Sequence, residues 1–139
     1  MRKINEIIIH CSATEEGRDF TVEDIRRWHV EGNGWKDIGY HFVIYRDGSI
    51  HAGRPIDQVG AHTKDHNAYS IGVCYIGGLA IDRKTPKDTR TPQQKQALIE
   101  LVRSLMLVFG VSRVSGHNQY ARKACPSFEV QAWRKEVGL

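Results

Sequence analysis

This sequence predicts a single α/β domain, with a mixed central β-sheet flanked by about three α-helices. Three observations carry that reading. Short β-branched runs alternate with stretches of helical periodicity. Cap and turn residues stand at the junctions between them. The length of 139 residues suits one domain, taken as 1–139, and a chain of that size buries enough surface for a core without disulfides.

Glu6-Ile7-Ile8-Ile9-His10 reads as a central strand buried on both faces, closed by a polar residue. The end of a central strand is a common place for a site residue in such sheets, although a histidine there can equally be satisfied by hydrogen bonds. Thr21 opens a helix in capping-box fashion, with an acid, Asp24, three residues on. Val22, Ile25 and Trp28 recur along one face, and Gly32-Asn33-Gly34 ends the helix. Tyr40 to Tyr45 is a strand, turned by Asp47-Gly48 into Ile50-His51-Ala52. Strict alternation would put Tyr40, Phe42 and Ile44 on one side and His41, Val43 and Tyr45 on the other.

Gly53 to Asn67 is a loop holding His62, and Ser70 to Ile76 is another buried strand in which Cys74 acts as a small hydrophobe. The stretch 80–90 is a polar loop. Thr91-Pro92-Gln93-Gln94 opens the best-marked helix, with Leu98, Leu101, Val102, Leu105 and Phe109 on one stripe and a stop at Gly110. Val111 to Ser115 is a short strand. Ser127 caps a terminal helix containing Val130, Trp133 and Val137.

Composition excludes several classes. Hydrophobic content of 40% and charged content of 26% are those of a globular protein. The net charge of +4 includes no run of like charges, so no nucleic-acid partner is expected. No apolar run approaches the ~20 residues of a membrane span, and Ile7-Ile8-Ile9 is too short for a signal-peptide core. Three cysteines, Cys11, Cys74 and Cys125, are not a disulfide framework and suit a reducing compartment. The expectation is a cytoplasmic product as synthesised.

The chemistry-bearing stretch is Gly116-His117 through Lys123-Ala124-Cys125-Pro126-Ser127-Phe128. Histidine and cysteine bind zinc well, and a catalytic zinc site uses three protein ligands. There is no Cys-x-x-Cys, which argues against a closed structural site. His10, His117 and Cys125 could form an open two-His, one-Cys site. Taken alone, these residues also fit a loop with an incidental histidine and a partly buried thiol.

The chain resembles the zinc-dependent N-acetylmuramoyl-L-alanine amidases, small phage lysozyme type, and is similar to the animal peptidoglycan-recognition proteins. The resemblance rests on Ile8-Ile9-His10-Cys11-Ser12-Ala13-Thr14, Arg27-Trp28-His29, Gly34-Trp35-Lys36-Asp37-Ile38-Gly39-Tyr40-His41-Phe42 and Arg46-Asp47-Gly48. It continues through Gly53-Arg54, Gly60-Ala61-His62, Asn67 to Val73, Gly77-Gly78, Thr91-Pro92-Gln93 and the His117–Phe128 stretch. It runs from about residue 5 to the last helix, in the family's order.

The resemblance implies a zinc ion on His10, His117 and Cys125, with Tyr40 and Lys123 as catalytic partners. It implies hydrolysis of the amide between N-acetylmuramic acid and L-alanine in peptidoglycan, by an endolysin-like enzyme acting on the cell wall after release. It places His62 and Asn67 in the substrate groove. Zinc would lower the pKa of bound water toward ~7, and Lys123 would stabilise the oxyanion. No glutamate stands as an obvious base. His29 and His51 are read as ordinary, His41 as structural, and Cys11 as pointing away from the site. A monomer with no separate cell-wall-binding domain is expected. The rival reading is a non-catalytic peptidoglycan-binding or regulatory protein-binding module on the same fold. Non-catalytic relatives lack the cysteine, which is present here as Cys125.

Overall fold

The computed structural model describes all 139 residues. Five strands make the main sheet in the order β4-β3-β5-β1-β7. They are β1 (Glu6–Cys11), β3 (Phe42–Ile44), β4 (Ile50–Ala52), β5 (Ser70–Tyr75) and β7 (Arg113–Gly116). All neighbours run parallel except the β3–β4 hairpin. Two further strands, β2 (Thr14–Glu15) and β6 (Gly78–Leu79), pair beyond the ends of β1 and β5. The sequence reading missed both, because a two-residue pairing leaves no periodicity to detect.

The middle strands β1 and β5 are buried along their whole length, but their two faces differ chemically. One face carries Ile7, Ile9 and Cys11 from β1, Ile71, Val73 and Tyr75 from β5, and Val114 from β7. These pack into one apolar core with α2 (Pro92–Phe109) and α3 (Val130–Val137). The opposite face carries Glu6, His10, Ser70, Cys74 and Ser115, all buried. An apolar run such as Ile7-Ile8-Ile9 conceals this division, because Ile8 belongs to the polar side. Period-2 alternation thus gives one face to the core and the other to the site.

Helix α2 keeps its predicted bounds. Thr91 and Gln94 form the reciprocal capping box, Pro92 takes the first position, and Gly110 ends the helix at φ +63°. Leu98, Leu101, Val102 and Leu105 are buried against the sheet. Leu98 is 1% exposed, so Leu98→Ala should lower unfolding free energy by about 2–5 kcal/mol, read from the midpoint of urea denaturation.

Helix α1 (Val22–Arg27) has the Thr21–Asp24 box and continues as one π-helical turn over Trp28–Gly32. Its residues Val22 and Ile25 join Ile38, Val43 and Ile76 in a smaller cluster on the site side. Ser127 does not cap α3. That role falls to Glu129, whose carboxylate accepts from the Gln131 and Ala132 amides, while the Ser127 hydroxyl donates to Gly78 O at 2.8 Å. The capping signal was displaced by two residues because Ser127 sits at φ +68°, outside the extended region an N-cap uses.

The strand expected over Tyr40–Tyr45 shrinks to Phe42–Ile44, and this changes where Tyr40 lies. It packs on the Val43 side with Tyr45, whereas Phe42 joins the main core. Tyr40 therefore does not share a face with Phe42 and Ile44. Alternation cannot be extrapolated past the last residue paired in the ladder.

Candidate active site

Parallel strands bring their C-terminal ends to one edge of the sheet. In this sheet β1 ends beside β7, with Ile9 opposite Gly116, so His10 and His117 emerge next to each other. Their ring centroids are 4.7 Å apart. Cys125 returns along the loop that follows β7, and its Sγ lies 3.7 Å from His10 Nδ1. One donor atom from each of His10, His117 and Cys125 falls within 4.8 Å of the others. Around a tetrahedral zinc, nitrogen and sulfur donors stand roughly 3.3–3.6 Å apart, so the three side chains fit such an ion with little movement.

The electrostatics of the two histidines agree with this fit, whereas the Cys11 side chain and burial push the Cys125 thiol up. His10 is 1% exposed, and burial, then the neighbouring His62, His117 and Lys123, hold its pKa well below the usual imidazole range. Burial and Lys123 also lower that of His117. Both rings are therefore neutral, the form in which imidazole donates to a metal. The backbone N–H of Cys11 donates to Cys125 Sγ at 3.2 Å, a contact that steadies sulfur bearing negative charge. The Cys11 side chain packs in the main core, while its backbone N–H and carbonyl both lie against Cys125 Sγ.

Tyr40 reaches the same point from the other direction, its ring 5.1 Å from that of His10. Burial, then the Cys74, Cys125 and Cys11 thiols, raise its pKa well above the phenol range. It stays protonated and keeps a hydrogen to donate. His29 backs it, with ring centroids 5.5 Å apart, and accepts from the Gly39 amide through Nδ1 at 2.9 Å. The half-buried His29 is thus a brace for the Tyr40 segment.

A cavity of about 490 Å³ opens beside these groups. His62, His117 and Lys123 line it, with Trp35, Lys64, Asn67 and Tyr120 forming much of the remainder. It carries two lysines and no Asp or Glu, so it favours anionic groups and offers no carboxylate base. The Lys123 side chain is exposed and close enough to act electrostatically on both His10 and His117.

Of the two expected groove residues, Asn67 does line the cavity, but its Oδ1 is engaged by the amides of His62 and Thr63, each at 2.9 Å. His62 also borders the cavity, yet it is only 8% exposed. Its ring nitrogens turn inward, Nδ1 lying 2.8 Å from His10 Nε2 and Nε2 lying 3.2 Å from Ser70 Oγ. Sequence reasoning missed Trp35, Thr63, Ser70 and Tyr120. Only Ser70 left a signal, as a polar residue on the strand face that His10 shares. Tyr120 is held from behind, its hydroxyl donating to the buried Glu6, which also accepts from Ser115 at 2.7 Å.

His41 supports the sheet beside the site. Its Nδ1 accepts from the Gly72 amide at 3.0 Å, and its Nε2 donates to Gln58 O at 2.8 Å. Burial lowers its pKa to about 4. Because the unfolded imidazole titrates near 6.5, the unfolded chain binds the proton first as pH falls. Stability present above pH 6.5 is lost down to about pH 4, by roughly 3 kcal/mol from this group. Urea denaturation at pH 7 and pH 5 should show part of the loss, and His41→Gln should reduce the dependence by this group's share.

Comparison with known proteins supplies the family. The sequence profile of the N-acetylmuramoyl-L-alanine amidases matches residues 1–128. An endolysin of Klebsiella phage KP32 is 45% identical over 133 residues, covering 95% of this chain and 86% of its own. Peptidoglycan-recognition protein SC1a of Drosophila melanogaster is 32% identical, covering 91% of this chain and 71% of its own. Among solved structures, the N-acetylmuramoyl-L-alanine amidase LysC from Clostridium intestinale superposes with a TM-score of 0.83 at 29% identity, over 99% of this chain and 87% of that one. With a matching profile over almost its whole length and a shared fold beneath it, the chain belongs to the N-acetylmuramoyl-L-alanine amidase family.

Proposed function

We propose that this amidase hydrolyses the bond between N-acetylmuramic acid and L-alanine of peptidoglycan at a zinc site formed by His10, His117 and Cys125, with Tyr40 and Lys123 as its catalytic partners. The observation that carries the reading is the convergence of those three donor atoms within 4.8 Å, beside a cavity that Lys123 lines. A bound zinc ion would supply Lewis-acid polarisation and a lowered water pKa.

The chain's own groups do the rest. Lys123 presents a cation where charge develops on the carbonyl oxygen, and a cation held at that point stabilises the charge. Tyr40, kept protonated, donates a hydrogen bond toward the same oxygen or toward the departing nitrogen. Trp35 and Tyr120 present flat apolar walls, and Lys64 with Lys123 favours the carboxylates of a stem peptide. No helix is long and apolar enough to cross a membrane, and action on the wall after release follows the reading as an endolysin.

The test is a mass-spectrometric digest of purified peptidoglycan. Stem peptides beginning with a free L-alanine amine are expected. New reducing sugar ends, or cuts within the stem, would overturn the assignment.

A further inference from the structure

His10 has two ring nitrogens, and a neutral imidazole offers a lone pair from only one. A metal site fails if the proton sits on the nitrogen facing the ion. What decides this is the hydrogen bond made by the other nitrogen. Behind His10 the structure contains a chain of polar groups whose direction can be followed from its far end.

The chain ends at the backbone carbonyl of His66, which can only accept. Ser70 Oγ lies 2.7 Å from it and must donate its single hydrogen there. With that hydrogen committed, Ser70 Oγ faces His62 Nε2, 3.2 Å away, with lone pairs only. His62 must therefore carry its proton on Nε2 and leave Nδ1 as an acceptor. His62 Nδ1 in turn lies 2.8 Å from His10 Nε2, so His10 must be protonated on Nε2. Its remaining lone pair is on Nδ1, the atom that points toward Cys125 Sγ. The opposite direction would set Ser70 Oγ and His62 Nε2 lone pair against lone pair in a buried site.

Thr63 is compatible with this direction. Its Oγ1 lies 3.2 Å from His10 Nε2 and 3.1 Å from His62 Nδ1, so its oxygen can accept a share of the hydrogen that His10 Nε2 gives to His62. The ring of His62 is also held in place. A Cβ on Gly72 would stand 2.6 Å from His62 Cγ, and one on Gly60 would stand 2.9 Å from its Cδ2. Bare backbone at both positions lets the ring lie flat against β5, and any side chain there would push it off. Asn67 fastens the backbone of His62 from below through its two amide contacts.

We propose that His62 and Ser70 are positioning residues that fix the tautomer of His10, leaving Nδ1 as the nitrogen available to a metal. The proposal rests on the zinc site described above. Its experiment is arranged so that the two can fail separately. Nitrogen-15 NMR of the metal-free protein reads the tautomer directly. Zinc affinity, measured by competition with a chromophoric chelator, reads the consequence.

In the unmodified protein His10 should show a protonated Nε2 and an unprotonated Nδ1. Ser70→Ala, which removes one oxygen and leaves the backbone pairing intact, should give mixed tautomers at His62 and His10. It should also weaken zinc binding by about 10–100-fold. Ser70→Thr, which keeps the hydroxyl, should restore both readouts. Gly72→Ala should reproduce the Ser70→Ala result by displacing the ring. If Ser70→Ala does not fold, the tautomer of the unmodified protein still decides the matter. A proton on His10 Nδ1 in that protein, or an unchanged tautomer and zinc affinity in folded Ser70→Ala, would overturn the proposal. A correct tautomer in a protein that takes up no zinc would instead overturn the zinc site and leave the tautomer assignment standing.

Discussion

Cys125→Ser is expected to remove stoichiometric zinc and to lower muropeptide hydrolysis by on the order of 10³-fold. The size follows from the several kcal/mol of transition-state stabilisation that a Lewis acid contributes, at about 1.4 kcal/mol per tenfold. Serine keeps the shape of the side chain but is not a thiolate, and two imidazoles alone form an incomplete site. Elemental analysis of the purified variant measures the metal, and release of stem peptide measures the reaction. The fold should survive, because Cys125 is half-buried at the margin of the main core. Full hydrolysis by a zinc-free variant would refute the metal assignment.

Lys123→Ala should separate binding of the metal from catalysis. The side chain is exposed and lines the cavity without ligating the cluster, so zinc content and urea midpoint should match the unmodified protein. Removing one preorganised donor to a developing oxyanion costs about 10²–10³-fold in kcat, and that is the expected loss. Tyr40→Phe should behave similarly, its half-buried phenol being the donor in the transition state. A loss confined to KM, with kcat retained, would make either residue a substrate anchor only.

Much of this arrangement was legible in the sequence because it is local. The Thr21–Asp24 and Thr91–Gln94 capping boxes, the Asp47-Gly48 turn and the stripe of α2 each involve residues within a few positions of one another, and all four appear as expected. The misplacements also have physical causes. Tyr40 left the predicted face because the β3 ladder ends before it reaches that residue. Ser127 lost its capping role because its backbone turned left-handed.

His62 shows the limit most plainly. Its type and position suggested the groove, but its burial and its two ring contacts depend on Gly60, Gly72 and Ser70, which come together only when the loop folds onto β5. By itself the sequence determined the α/β class, the helix ends and the residue types able to hold a metal, because propensity, capping and side-chain chemistry act over short range. The tertiary structure decided that His10, His117 and Cys125 meet at the end of the sheet, which face Tyr40 takes, and which nitrogen of His10 is free. Those depend on strand register and on hydrogen bonds between segments more than fifty residues apart, and no local pattern records them.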